Sequence, residues 1–190
     1  TLLYHETAHN YQGNIKSNTV SKSLHSVFGN GSVLFPYVIV PNVMENYFML
    51  EGNAVLNESW HGNGGRLYSG RFRAETLLQA KAGNIKASDV YNVKLDFPYV
   101  GNIWYIQGGF YNLYLAEKYG LKNVNSYFKY HSKDILWPQF TNTSMNSAIG
   151  VDFEASLNEF SQYYAKMADS MVLAKGEIIA SSQNFYSLSN

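Results

Sequence analysis

Residues 1–10 read Thr1-Leu2-Leu3-Tyr4-His5-Glu6-Thr7-Ala8-His9-Asn10, and the rest of the chain is read outward from them. On a helix, positions i and i+4 lie one turn apart on the same face, so the imidazoles of His5 and His9 can reach one ion. Glu6 stands beside the first imidazole and can touch a water on that ion without being a ligand. Leu3, Tyr4, Ala8 and Tyr11 supply the apolar positions of a helix over residues 1–13, closed by Gly13. The rival reading is a polar helix start with two solvated histidines.

Two histidines do not hold a catalytic zinc ion; a third protein ligand is needed, with the fourth position left open. The chain has no cysteine, which excludes disulfides, zinc–thiolate centres and thiol nucleophiles. The best third ligand is then a carboxylate on a neighbouring helix. A second helix over residues 45–60 offers Glu45, Glu51 and Glu58, with Met44, Phe48, Leu50, Ala54, Val55 and Leu56 on or near its buried face. Glu51 interrupts that apolar face, and a lone buried carboxylate is costly unless paired, so an acid there expects a cation. Gly52 beside it would let another backbone or a ligand approach closely. Glu58, two turns along, could hydrogen-bond a ligand histidine from behind, with Asn57 next to it. Glu45 reads as an ordinary solvated acid.

Length and composition bound the alternatives. The 190 residues suit one domain with a full hydrophobic core. There are 14 basic and 14 acidic residues with no run of either sign, which leaves no electrostatic case for nucleic acid or an anionic membrane surface. No apolar run approaches the ~18 residues of a membrane span. The 16 Tyr, 11 Phe and 3 Trp suit a core and a groove built from rings. Cytoplasmic and periplasmic or secreted proteins can all lack cysteine, so no compartment is assigned.

Along the chain, residues 14–32 are rich in Ser, Asn, Lys and Gly and read as a loop with a short turn over 20–28. Residues 33–43 form an apolar run broken by Pro36 and Pro41, which suits extended packing better than a central strand. Further helices are expected over 72–81, from a Ser88 cap, over 102–119 up to Gly120, over 123–132 and over 141–149. A long last helix starts from a cap at Asp152 and runs to about residue 174, with Phe153, Leu157, Phe160, Tyr164, Met167 and Met171 at three- and four-residue steps. Residues 177–182 read as a strand. His25 and His131 sit in polar contexts and read as solvated, and His61 as a cap after the second helix. The expected architecture is mainly α: a helical domain over 1–175, then a strand or linker over 176–190 leading toward a following domain.

Three blocks in order carry a resemblance. His5-Glu6-Thr7-Ala8-His9, then Pro41, then Leu50-Glu51-Gly52-Asn53-Ala54 with the later Glu58, resemble the gluzincin zinc metallopeptidases, most closely the peptidase MA-like group. Tyr105-Ile-Gln-Gly-Gly-Phe-Tyr-Asn-Leu-Tyr-Leu-Ala-Glu-Lys-Tyr-Gly120 is similar to a Tyr-x-x-Gly helix of the same peptidases and of the aminopeptidase N-like family. The resemblance implies zinc bound by His5, His9 and Glu51, with Glu6 as general base. It also implies Tyr105 as a donor to the oxyanion, and a peptide or protein substrate. It further implies the helical C-terminal part of a zincin-like catalytic domain, with a β-sheet upstream of this chain and contacts with flanking domains. Residues 105, 108, 109 and 112 share one helix face, and Gly108 and Gly109 would leave open space beside the phenol. The interval from His9 to Glu51 is longer than in thermolysin, and Leu50 stands where a large aromatic is common. The rival classes are a catalytically inactive gluzincin-derived binding or scaffold domain and a helical interaction module.

Overall fold

The structure, a computed structural model, describes residues 2–29, 41–62, 64–90, 102–133 and 141–171. Nine α-helices lie among them: α1 (Leu2–Asn14), α2 (Thr19–Phe28), α3 (Tyr47–Trp60), α4 (Gly70–Lys81), α5 (Ala87–Val90), α6 (Ile103–Tyr119), α7 (Leu121–His131), α8 (Thr141–Ile149) and α9 (Phe153–Ser170). Two 3-10 turns, Pro41–Met44 and Arg66–Tyr68, complete the set, and no strand occurs among the described residues. The extended run over 33–40 and the strand over 177–182 lie outside the described residues. No described helix is long and apolar enough to cross a membrane.

The core is organised on α3 against α6. Their backbones touch where Gly52 meets Gly108: a Cβ on Gly52 would run into the Gly108 carbonyl, and one on Gly108 would lie 2.6 Å from the Phe48 carbonyl oxygen. Only glycine permits so close an approach. Beside it, a Cβ on Gly109 would lie 2.7 Å from Cγ1 of Val55. The open space expected beside residues 108 and 109 is therefore closed, because α3 fills it; dispersion favours close-packed helices over a gap.

Aromatic rings extend this contact. Tyr111 is surrounded by Phe48, Phe153 and Phe160 at centroid distances of 5.5, 5.7 and 5.6 Å, tilted or edge-to-face as ring quadrupoles prefer. Burial of each such ring contributes about 1.5–3 kcal/mol. The buried Tyr111 hydroxyl is satisfied by Ser156 Oγ at 2.7 Å. Outward from this centre, α1 lies on α3, α7 follows α6 through Gly120 and carries α8, and α4 and α9 pack on each other and on α6.

Several local features differ from the sequence expectation. Thr19–Phe28 is a helix and not a loop with a turn, because Asn18 caps it, its Oδ1 accepting the Ser21 N–H at 2.6 Å. The run expected to be extended as far as residue 43 gives way to the 3-10 turn at Pro41. Ser88 lies inside α5, which starts one residue earlier. At α9, Asp152 holds the cap position through its carbonyl, which accepts the Ser156 N–H at 3.0 Å, and its side chain makes no bond to its own helix. The Phe153 N–H donates to Asn142 Oδ1 at 3.0 Å, while Asp152 accepts from Asn146 at 3.1 Å.

Two corrections concern burial. His131 and Glu45, both expected in solvent, are buried together, with Nε2 of His131 2.8 Å from Oε2 of Glu45 and Nδ1 2.9 Å from Asn42 Oδ1. Pairing offsets the cost of removing them from water. In α1 the expected apolar face points outward: Leu3, Tyr4 and Tyr11 are exposed, whereas His5 and Gln12 are buried against α3.

Gly108→Ala should destabilise the fold even though alanine gains ~1 kcal/mol in a helix interior. The clash with fixed backbone outweighs this, for a net loss of about 1–3 kcal/mol in urea denaturation. Gly109→Ala should lose less, since it meets a side-chain methyl. A Gly108→Ala protein as stable as its parent would contradict the backbone contact.

Candidate metal centre

Packing α1 on α3 sets His5 and His9 opposite Glu51. Nε2 of His5, Nε2 of His9 and Oε2 of Glu51 form a triangle with every side 3.2 Å. Ligands about 2.0 Å from a tetrahedral ion are about 3.3 Å apart, so the triangle matches one face of such a site. Among the described residues this is the one group of three or more His and acidic side chains with ligand atoms close enough to share an ion.

The imidazole orientations are held from behind. His9 Nδ1 lies 2.9 Å from Gln12 Oε1. The Gln12 amide cannot be reversed, because its Nε2 donates to Leu50 O at 3.2 Å and to Asn53 Oδ1 at 3.1 Å. Gln12 therefore presents an acceptor, His9 carries its proton on Nδ1, and Nε2 keeps a lone pair. His5 Nδ1 lies 3.2 Å from Oε2 of the buried Glu58. Arg66 Nη1 is farther from the same nitrogen, 3.4 Å, and also lies 3.7 Å from Glu58 Oε2. His5 Nδ1 thus meets an anionic acceptor in Glu58 and an obligate donor in Arg66, and these contacts hold the ring in place without selecting one tautomer.

Two imidazole Nε2 atoms and a carboxylate oxygen thus converge on one point, an arrangement that positive charge stabilises. A proton serves where no metal ion is bound. Burial pulls the Glu51 carboxyl up, but hydrogen bonds from His5 and His9 outweigh it and hold the group at about 2. The hydrogen bond to Glu51 raises His9 above its ordinary value against the opposing pull of burial.

The other residues singled out in the sequence fall in distinct places. Glu6 is exposed on α1, and its charge helps raise both His9 and the Tyr105 phenol, so it stands near the cluster on the solvent side. Tyr105, in the first turn of α6, is half-buried with its ring on that of His5, centroids 6.1 Å apart and planes 28° apart. Burial, then the charge of Glu51 and a hydrogen bond with it, push this phenol up, so it remains a proton donor at neutral pH. Glu58 stands behind His5 and accepts the Arg66 backbone N–H at 2.8 Å. Asn57 faces elsewhere: its Nδ2 donates to the Asn53 carbonyl at 2.8 Å, and it lines a cavity of about 230 Å³ with Tyr4, Tyr11 and His61. His61 holds the C-cap position of α3.

Sequence reasoning missed Gln12 and Arg66. Gln12 was findable, being three residues from His9 and hence on the same face of α1. Arg66 has no such signal; a turn brings its guanidinium 4.9 Å from the Tyr105 ring centre, beside Glu58. Compared with known protein families, with curated proteins and with solved structures, the chain matches none.

Gln12→Leu, which removes the acceptor behind His9, should weaken any zinc binding at this group by about 10–100-fold in a chelator competition. Stability against pH offers a separate check on chelator-treated protein. The His9 share is complete below 6.5 and fades as pH rises through its raised folded value. The Glu51 share is complete above 4.5 and fades as pH falls toward about 2. Thermal denaturation should therefore show the contribution of this cluster greatest between pH 4.5 and 6.5, and Glu51→Gln should flatten that profile.

Proposed function

We propose that the chain is the helical part of a zinc-dependent metallopeptidase catalytic domain, acting on a peptide or protein substrate. The observation that carries this reading is the 3.2 Å triangle of His5, His9 and Glu51, with the His9 tautomer fixed by Gln12. Two imidazoles and one carboxylate suit zinc and leave one coordination position free. Zinc held there would supply Lewis acidity, polarising a carbonyl and lowering the pKa of a water toward ~7.

The chain's own residues then have defined tasks. Glu6, adjacent to the ligands and open to solvent, takes a proton from the attacking water and returns it to the leaving amine. The Tyr105 phenol, held protonated, donates a hydrogen bond to the oxygen on which negative charge develops. Glu58 and Gln12 keep the two imidazoles oriented. On this reading substrate lies between α1 and α6, beside the ligands. The outward-facing Leu2 and Leu3, 64% and 77% exposed, suit cover by the upstream sheet that a zincin-like architecture implies. A scaffold domain would need neither Glu6 nor Tyr105, so their presence beside the ligands favours hydrolysis.

Three substitutions test the assignment through zinc content by mass spectrometry and hydrolysis of a peptide mixture. Glu51→Gln should lose zinc. Glu6→Gln should keep zinc and lose hydrolysis; loss of both together would give Glu6 a structural role. Tyr105→Phe should keep zinc and lower kcat by about 10²–10³, as expected for one missing oxyanion donor.

A further inference from the structure

On the flank of α1 away from Glu6, a cavity of about 340 Å³ is lined by Tyr11, Ile15, Lys16, Ser17, Lys22, Lys129 and Lys133. Its lysines come from three places: the link after α1, the first turn of α2, and the end of α7. Four of the chain's 14 basic residues thus surround one concavity, and no acid lines it among the described residues. The whole chain has a formal charge of zero, so this is a local concentration and not a reflection of composition.

The juxtaposition is built by hydrogen bonds. The Ser17 N–H donates to Ser132 Oγ at 3.2 Å, and Asn18 Nδ2 donates to the Ser132 carbonyl at 2.8 Å. These two bonds fasten the link between α1 and α2 to the end of α7, with Ser132 itself buried. Asn18 then starts α2 as its cap, which brings Lys22 in one turn later. The negative end of α7 accounts for Lys129, and the Lys133 ammonium lies 4.6 Å over the Tyr130 ring. Neither accounts for Lys22, which occupies the first turn of α2, the end where a helix dipole disfavours a cation. Lys16 is partly withdrawn from water, and burial lowers its ammonium below the ordinary value. Like charges gathered in this way are relieved by an anion.

We propose that this pocket binds a multiply charged phosphate group, carried by a small organic phosphate or by a phosphorylated lipid headgroup. All four cations are lysines, and ammonium groups act as point charges that meet phosphate oxygens from several directions; a planar carboxylate would favour the fork of arginine. The volume is at the lower end for small-molecule sites, and Tyr11 with Ile15 gives the organic part an apolar wall.

Titration calorimetry with tripolyphosphate at low ionic strength tests this. Sedimentation with phosphatidylcholine vesicles, with and without phosphatidylinositol phosphate, separates the two sources. The parent protein should bind, with log affinity falling linearly as log salt rises. Lys16→Gln with Lys129→Gln should weaken binding by about a hundredfold, tenfold per lysine, with helicity by circular dichroism unchanged. Binding in solution assigns a free phosphate; sedimentation only with the phosphoinositide vesicles assigns a headgroup. Indifference of the parent to both probes overturns the proposal, as does undiminished binding in the folded double variant. Tighter binding of a single-stranded oligonucleotide than of tripolyphosphate also overturns it.

Discussion

The contact between Gly52 and Gly108 is the constraint on which the rest of this structure depends. It brings α3 and α6 together backbone to backbone, and the neighbours of each glycine then have little freedom. Glu51 directly precedes Gly52, and Tyr105 lies three residues before Gly108 on the same helix. The close approach therefore places a carboxylate and a phenol at one locus, where burial and then the charge of Glu51 raise the Tyr105 phenol. The same contact seats Phe48 against Tyr111 and so joins the site to the aromatic core.

Onto this pair α1 is laid with its polar face inward. Burying His5 and Gln12, and part of His9, would be costly without partners, and each has one supplied by α3: Glu51 for His5 and His9, and Leu50 O with Asn53 for Gln12. The network runs on from there. The Gln12 carbonyl accepts from Asn42 Nδ2 at 2.8 Å, and Asn42 Oδ1 faces the buried His131, which pairs with Glu45. Half-satisfied polar clusters destabilise a core, so this one fixes where α1 and α7 sit relative to α3 as much as packing does. Helix α1 is held by polar recognition and not by an apolar stripe.

Charge shows the same dependence on the third dimension. Read linearly, the chain is neutral and has no basic run. Folded, it gathers Lys16, Lys22, Lys129 and Lys133 around one concavity, because two hydrogen bonds to Ser132 tie distant segments together. A neutral total therefore says little about the local field at any one surface.

By itself the sequence determined the helical character and the positions of most helices, since periodicity, glycine stops and caps are written in neighbouring residues. It also marked His5, Glu6 and His9, whose relation is local to one helix turn. Among Glu45, Glu51 and Glu58 the residues alone favoured Glu51, the acid that interrupts an apolar face, and read Glu45 as solvated. Tertiary packing turns Glu51 to the two Nε2 atoms, Glu58 to a Nδ1 behind them, and Glu45 to the buried His131. Which face of α1 is buried was also settled only in three dimensions: hydrophobic pattern points to Leu3, Tyr4 and Tyr11, and the polar partners on α3 reverse that choice. Arg66 and the four lysines belong to the same class. Contacts between residues far apart in the chain depend on how helices pack, and no spacing within a single helix encodes them.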